Sequence, residues 1–230
     1  MYTRSERQDH RAATVHHPLF SRLRPLLVRR ADERGMAERR ARLLDGLHGR
    51  VIEVGAGTGA TFLHYPQTVV EVVAVEPEPS LRRLASAAAE LAPVPVRVID
   101  GVAEELPAEG TTFDAAVSCN ILCSVRDPVL ATAELHRVLR PGGILRFNEH
   151  VVSEHPAVSR VQRAADATLW PLLSGGCHLG RDTLAELRRA GFVIEYCART
   201  SGVRAVGPPK SYVFGSARRA YEPTAAPASP

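Results

Sequence analysis

The chain has 230 residues, 45% hydrophobic and 23% charged, which fits one globular domain with a sizeable core and excludes a disordered or fibrous protein. The formal charge is +4, and the first fifty residues hold 12 Arg against 6 acids without the aromatic interleaving of a single-strand groove, so nucleic acid is not an expected partner. No apolar run approaches the roughly 18 residues of a membrane span, residues 1–15 are too polar for a cleavable leader, and Cys119, Cys123, Cys177 and Cys197 show neither C-x-x-C nor zinc spacing, which predicts a cytoplasmic chain with free thiols, no stable membrane insertion and no metal.

In chain order, residues 1–15 read as disordered and 16–49 as a helical cap of two helices, the second Arg/Glu-rich over 32–47. Strands and helices then alternate. Strands are predicted at 51–54, 70–75, 94–99, 113–119 and 144–149, each a short run rich in β-branched or other apolar residues. Helices are predicted at 60–65, ended by Pro66; at 80–91, with Ser80 as N-cap; and at 129–139, stopped by Pro141-Gly142-Gly143. After that come a helix at 156–173, a break at Ser174-Gly175-Gly176-Cys177-His178, a helix at 182–190, and a closing antiparallel pair at 193–197 and 212–215. Residues 217–230 are Pro/Ala-rich and read as a disordered tail. The alternation predicts an α/β fold over 16–216: a Rossmann-like, doubly wound, mostly parallel seven-stranded sheet with an antiparallel C-terminal strand. Ligands of such sheets bind beyond the carboxyl ends of the strands, where the strand order reverses.

Residues 51–59 read Val-Ile-Glu-Val-Gly-Ala-Gly-Thr-Gly. A buried strand here enters a turn whose glycines, Gly55, Gly57 and Gly59, lack the Cβ atoms that would block a ligand from the backbone. With the helix predicted at 60–65, amide N–H groups would face the crevice, and such a turn binds a nucleotide-like cofactor. Gly55-x-Gly57-x-x-Ala60 also fits the dinucleotide fingerprint, with Glu76 at the distance of a ribose-binding acid. Against NAD(P) stand the fifty-residue helical segment before the turn and the missing second glycine-rich half. Glu53, two residues before the first glycine, suits the methionine end of S-adenosylmethionine. Phe113-Asp114-Ala115-Ala116-Val117 and Arg137-Val138-Leu139-Arg140-Pro141-Gly142-Gly143 then follow in the order and spacing of class I methyltransferases.

Glu76 ends the second predicted strand, where a carboxylate can accept both ribose hydroxyls. Many methyltransferases place an adenine-binding Asp where Val102 stands, so the backbone of Ala103 and the side chain of Glu104 are the expected substitutes. Cys119 and Asn120 follow the fourth strand, beside the methionine portion. His150 and His178 are the titratable candidates on the acceptor side. Methyl transfer demands little acid–base chemistry, because orientation and desolvation carry most of the work, roughly 7–11 kcal/mol of it.

Residues 51–212 resemble the class I S-adenosylmethionine-dependent methyltransferases of the ubiquinone/menaquinone-biosynthesis-like group, and within it the thiol S-methyltransferase branch. The branch resemblance rests on Glu53–Gly59, His64-Tyr65-Pro66, Leu122-Cys123-Ser124-Val125, Glu149-His150-Val151, and Trp170 followed by Gly176-Cys177. Animal members carry an N-terminal apolar anchor, which the Arg-rich start of this chain replaces. The resemblance implies S-adenosyl-L-methionine as cofactor, held by Glu53, Gly55, Ala56, Gly57, Gly59, Glu76, Pro77, Ala103, Glu104, Cys119 and Asn120. It implies a small-molecule acceptor, with a thiol foremost, covered by residues 17–27, the loop at Cys123, His150, and 170–178. An O-, N- or C-methyltransferase of a quinone or secondary-metabolite pathway, and a non-catalytic cofactor-binding protein, are the alternatives.

Overall fold

The computed structural model describes residues 18–202 and 208–221. The disordered stretch expected at 1–15, and most of that expected at 217–230, lie outside the described residues. A helical cap comes first, with α1 (Pro18–Ala31) and α2 (Ala37–Leu44) joined by a kink at Asp32–Met36 where Gly35 takes φ 89°. The alternating part follows as β1 (Gly49–Val54), β2 (Val69–Val75), α3 (Pro79–Ala89), β3 (Val96–Ile99), β4 (Phe113–Cys119), α4 (Pro128–Val138) and β5 (Leu139–Val151). The chain ends in α5 (Pro156–Asp166), a single turn α6 (Trp170–Leu173), α7 (Thr183–Arg189), β6 (Phe192–Gly202) and β7 (Lys210–Arg219).

The strands form one seven-stranded sheet in the order β3-β2-β1-β4-β5-β7-β6. Neighbours pair parallel except at β7, which is antiparallel to both β5 and β6. Both faces are covered, which is why the strands read as near-continuous apolar runs. Alternate residues serve opposite layers. Ile52, Val54, Val73 and Val75 join Leu135, Leu145 and Phe147 in one core, while Val51, Val72 and Ala74 join Leu43, Leu44 and Phe62 in the other. The chain runs outward from β1 to β3 and returns to β4 on the far flank of β1. The order therefore reverses between β1 and β4, and the crevice beyond their carboxyl ends is where a ligand belongs.

Several local boundaries differ from expectation. No α-helix forms at 60–65; only a 3-10 turn, Phe62–His64, does. Pro66 holds Tyr65 in extended dihedrals (ψ 130°), and the hydroxyls of Thr61 and Tyr65 both turn to Glu53. No α-helix N-terminus follows the turn, and its amides are held internally, those of Gly55 and Ala56 by the Val75 carbonyl and that of Gly57 by Glu76. At α3 the N-cap is Glu78, not Ser80: Glu78 accepts from the Ser80 amide and hydroxyl, because Pro79 at the first helical position moves the start upstream.

The helix expected over 156–173 divides after Asp166, whose carboxylate accepts from the amides of Leu179 (2.7 Å) and Gly180 (2.8 Å). Helix α4 stops at Val138 before the Pro-Gly-Gly, and β5 begins at once. Arg219 of β7 donates to the carbonyls of His136 (2.9 Å) and Leu139 (2.6 Å), closing that helix end from a distant strand. Strand β7 continues to Arg219, past the boundary expected at 216.

Candidate active site

Strand β1 delivers Gly55, Gly57 and Gly59 in left-handed conformations, with φ of 64°, 59° and 74°. Their surroundings differ. A Cβ on Gly55 would lie 2.5 Å from Ile121 Cδ1, and one on Gly59 would lie 2.7 Å from the Phe62 ring, so these two glycines serve packing. A Cβ on Gly57 would meet only the Gly55 carbonyl, at 3.9 Å. Gly57 alone of the three keeps open space at the turn.

Glu76, just past β2, is 5% exposed. One carboxylate oxygen accepts from the Gly57 amide at 2.7 Å and the other from the Glu78 amide at 3.0 Å. Burial raises its pKa and those amide bonds oppose the rise. Arg82 ties the surrounding loops by donating to the carbonyls of Glu76 (2.8 Å) and Pro77 (2.9 Å) and to Asp100 (2.9 Å).

After β4, Asn120 takes φ 58° and its buried Oδ1 has no hydrogen-bond partner. Strain and an orphaned acceptor together mark a ligand-facing residue. Glu149 of β5 is fully buried and organises this turn, accepting from Ser118 Oγ (2.6 Å), the Ile121 amide (3.1 Å) and the Cys123 amide (3.3 Å). Burial raises its pKa against those donors.

These residues open on a cavity of about 1110 Å³. Of the residues expected to hold a cofactor, Gly55, Gly57, Glu76, Pro77, Ala103, Glu104 and Asn120 line it. Glu53, Ala56, Gly59 and Cys119 are not among the lining residues. The two oxygens of Glu53 accept from Thr61 (2.6 Å) and Tyr65 (2.7 Å), so its carboxylate braces the turn from behind. Burial pushes the Cys119 thiol up to about 11. Glu104 Oε1 accepts from the Arg126 amide at 2.7 Å, which joins the loop after β3 to the one after β4.

On the acceptor side, His150 and His178 both line the cavity. The Nδ1 of His178 donates to the Gly176 carbonyl at 2.8 Å. The Nδ1 of His150 instead lies 3.4 Å from the sulfurs of both Cys123 and Cys177, which are 3.6 Å apart. The contact with Cys123 lowers the Cys177 thiol below its ordinary value. This cluster was invisible in the sequence, where the three residues are 27 positions apart in succession. Glycine brings it together: Gly176 takes φ 86°, a Cβ there would lie 2.8 Å from the Ser124 carbonyl, and the His178 amide donates to the Cys123 carbonyl at 2.8 Å.

Phe20, Ser21, Arg24 and Leu27 of α1 and Trp170 of α6 complete the walls. Sequence reasoning also passed over the charge of the site. Among the described residues seven cations, including Arg24, Arg39, Arg181 and Lys210, line the cavity against the carboxylates of Glu76, Glu78 and Glu104. Among the described residues no helix is long and apolar enough to cross a membrane.

Known proteins resemble this chain in sequence and in fold. The profile of a family described as a methyltransferase domain matches residues 52–147. The thiol S-methyltransferase TMT1B of Mus musculus is 38% identical over 154 residues, covering 65% of this chain and 63% of that protein. The ubiquinone/menaquinone biosynthesis C-methyltransferase UbiE of Syntrophotalea carbinolica is 31% identical over 183 residues, covering 73% and 75%. The chain spans about three fifths of the length of the thiol S-methyltransferases it matches. Among solved structures, the [4+2]-cyclase SpnF superposes with a TM-score of 0.65 at 19% identity over 81% of this chain and 80% of that one, a likeness of fold.

Proposed function

The chain belongs to the class I S-adenosylmethionine-dependent methyltransferases, and from that premise we propose that it moves the cofactor's methyl group to the sulfur of a small thiol. The observation that carries this is a single cavity lined both by the Gly57–Glu76 pair and by a buried imidazole between two thiols.

The residues fit the cofactor. Gly57 leaves the only uncrowded glycine at the turn. Glu76 is held by two amides and retains lone pairs for the ribose hydroxyls. Ala103 and Glu104, which line the cavity, would flank the adenine, and the orphaned Oδ1 of Asn120 would suit the ammonium of the methionine end. Glu53 fixes the turn by accepting from Thr61 and Tyr65, and Gly59 packs against Phe62 and Ala88. When bound, S-adenosylmethionine supplies a methyl group already activated by its sulfonium.

The protein's task is then to bind, orient and desolvate the acceptor. A small thiol has a pKa near 8.5, so an appreciable thiolate fraction exists near neutrality. The cation excess around the cavity favours that anion further. His178, which lines the same cavity, is the candidate group to take up a residual proton. Support for a thiol also comes from relatives that carry that activity in their names, at 34–38% identity. The 31% identity to a C-methyltransferase supports a second reading, in which the acceptor is a quinone-like ring carbon.

A panel of thiols, phenols, quinols and amines, assayed for S-adenosylhomocysteine release, separates the readings. Turnover of thiols is expected, with kcat/KM rising as pH climbs toward the acceptor's thiol pKa. Methylation of phenols or quinols with none of any thiol would overturn the thiol assignment. Cofactor binding without turnover of any acceptor would leave a non-catalytic binding protein.

A further inference from the structure

We propose that Cys123, His150 and Cys177 bind a zinc ion whose open fourth position faces the cavity, and that the acceptor thiol docks there as a thiolate. The inference rests on the thiol reading above and adds a metal to it.

Geometry carries the proposal. Zinc binds thiolate sulfur at about 2.3 Å and imidazole nitrogen at about 2.0–2.1 Å in a tetrahedron, which places sulfurs about 3.8 Å apart and sulfur and nitrogen about 3.5–3.6 Å apart. The observed separations are 3.6 Å between the sulfurs and 3.4 Å from each sulfur to His150 Nδ1. The three ligand atoms thus already form one face of a tetrahedron of nearly the right size. A disulfide would need the sulfurs at about 2.05 Å. All three side chains are buried and all three line the cavity, so the vacant vertex opens where an acceptor would sit.

Several supports behind the ligands are in place, while the buried Nε2 of His150 has no hydrogen-bond partner among the described residues. The backbone of Cys123 is held at both polar groups, its amide donating to Glu149 and its carbonyl accepting from the His178 amide. The carbonyl of Cys177 accepts from Ser174 Oγ at 3.3 Å. Rings of His150 and Tyr212 pack with centroids 4.4 Å apart. Such outer contacts orient ligands before the metal arrives. Two thiolates and an imidazole around one open position is also a known catalytic zinc set.

The balance is simple. Zinc entry releases one proton from each protein thiol to solvent, and Nδ1 contributes its lone pair. The acceptor thiol releases its own proton as it takes the fourth position. Its sulfur lone pair then forms the new S–CH3 bond while the sulfonium C–S bond breaks, its electron pair remaining on the departing sulfur. The product is a neutral thioether, a poor zinc ligand, and it leaves.

The test uses the full chain, reduced and dialysed, loaded with Zn²⁺ or with Co²⁺ as a spectroscopic probe. Wild type is expected to hold one ion per chain, with the sulfur-to-cobalt charge-transfer and ligand-field bands of a tetrahedral site. Cys123→Ala, His150→Ala and Cys177→Ala should each weaken metal binding by more than the roughly 10–100-fold that outer-shell changes cause. Binding of S-adenosylhomocysteine, measured in the same samples, should persist and certifies the fold. Cys197→Ser, an exposed thiol elsewhere, should change neither. Reduced wild type that binds S-adenosylhomocysteine but takes up substoichiometric metal overturns the zinc site and leaves the methyltransferase reading standing. Metal retained equally in Cys177→Ala overturns the ligand assignment. Metal bound without any S-adenosylhomocysteine affinity overturns the cofactor reading and, with it, the acceptor role of the site.

Discussion

Glu76 and Gly57 act as one unit, since the amide that lacks a neighbouring side chain is the one that holds the carboxylate. Gly57→Val would place a side chain in the open space of the turn and impose a left-handed backbone at a strain of about 1–2 kcal/mol. Calorimetry should therefore find S-adenosylhomocysteine binding largely lost. Glu76→Ala should weaken it by about 1.5–3 kcal/mol, the range for a hydrogen bond to a charged group; wild-type affinity in a folded variant would remove Glu76 from the site. Glu53 carries a different signature. Burial pushes its carboxyl from 4.5 up to about 7, against the hydrogen bonds from Thr61 and Tyr65. The folded state thus holds this proton more tightly than the unfolded chain. The stability linked to it is full below about pH 4.5 and is lost as pH rises through about 7. Glu53→Gln has no such proton to lose. Relative to wild type it should gain on the order of 2–3 kcal/mol between about pH 5 and about pH 8 in chemical denaturation. Parallel stability curves for the two proteins would refute that account.

At the scale of elements, the segment from α6 to α7 decides the acceptor side. Asp166, the last residue of α5, holds the amides of Leu179 and Gly180, and Gly176 crosses the Ser124 carbonyl too closely for any side chain. Gly176→Ala combines that clash with a φ of 86°. It is expected to lower stability by about 1–3 kcal/mol and to separate Cys177 from Cys123. Thiol turnover should fall while S-adenosylhomocysteine affinity stays near wild type, because Gly57 and Glu76 lie on other loops. Equal loss of both would show that the two halves of the cavity are not independent. The helix expected over 156–173 had good local periodicity, and no local signal announced that Asp166 would prefer partners 13 and 14 residues ahead. The helix expected at 60–65 failed for a comparable reason, since its hydroxyls bond Glu53 on the neighbouring strand.

Across the whole molecule, ligand binding and charge give measurable consequences. S-adenosylhomocysteine at about 100 times its Kd should stabilise the fold by about 2.7 kcal/mol, or about 5–10 °C in Tm for a chain of this length. NAD(H) under the same conditions should give no comparable shift; the reverse pattern would overturn the cofactor. The cation-rich cavity should also select among acceptors. A mercaptocarboxylate is expected to show a lower KM than an aminothiol of equal length, with the gap narrowing as salt screens the field. Equal KM values at low salt would show that the field does not reach the acceptor.

The β-α alternation, the seven-stranded sheet and the glycine turn ahead of Glu76 were legible in the sequence, because each follows from local chain geometry. β-branched runs make buried strands, glycines permit positive φ, and a strand's carboxyl end marks the crevice. Even the positions of Gly57, Glu76, Asn120 and His150 follow once each strand's end is known. Only the tertiary structure distinguished Gly57, open to the cavity, from Gly55 and Gly59, filled by Ile121 and by Phe62 with Ala88. Only it engaged both oxygens of Glu53 with Thr61 and Tyr65 and set Glu149 beneath the turn after β4. It also gathered Cys123, His150 and Cys177 from a loop, a strand end and a second loop into mutual contact. These contacts depend on the β4–β5 register and on one close backbone crossing at Gly176. Both are properties of elements packed together, and no spacing along the chain encodes them.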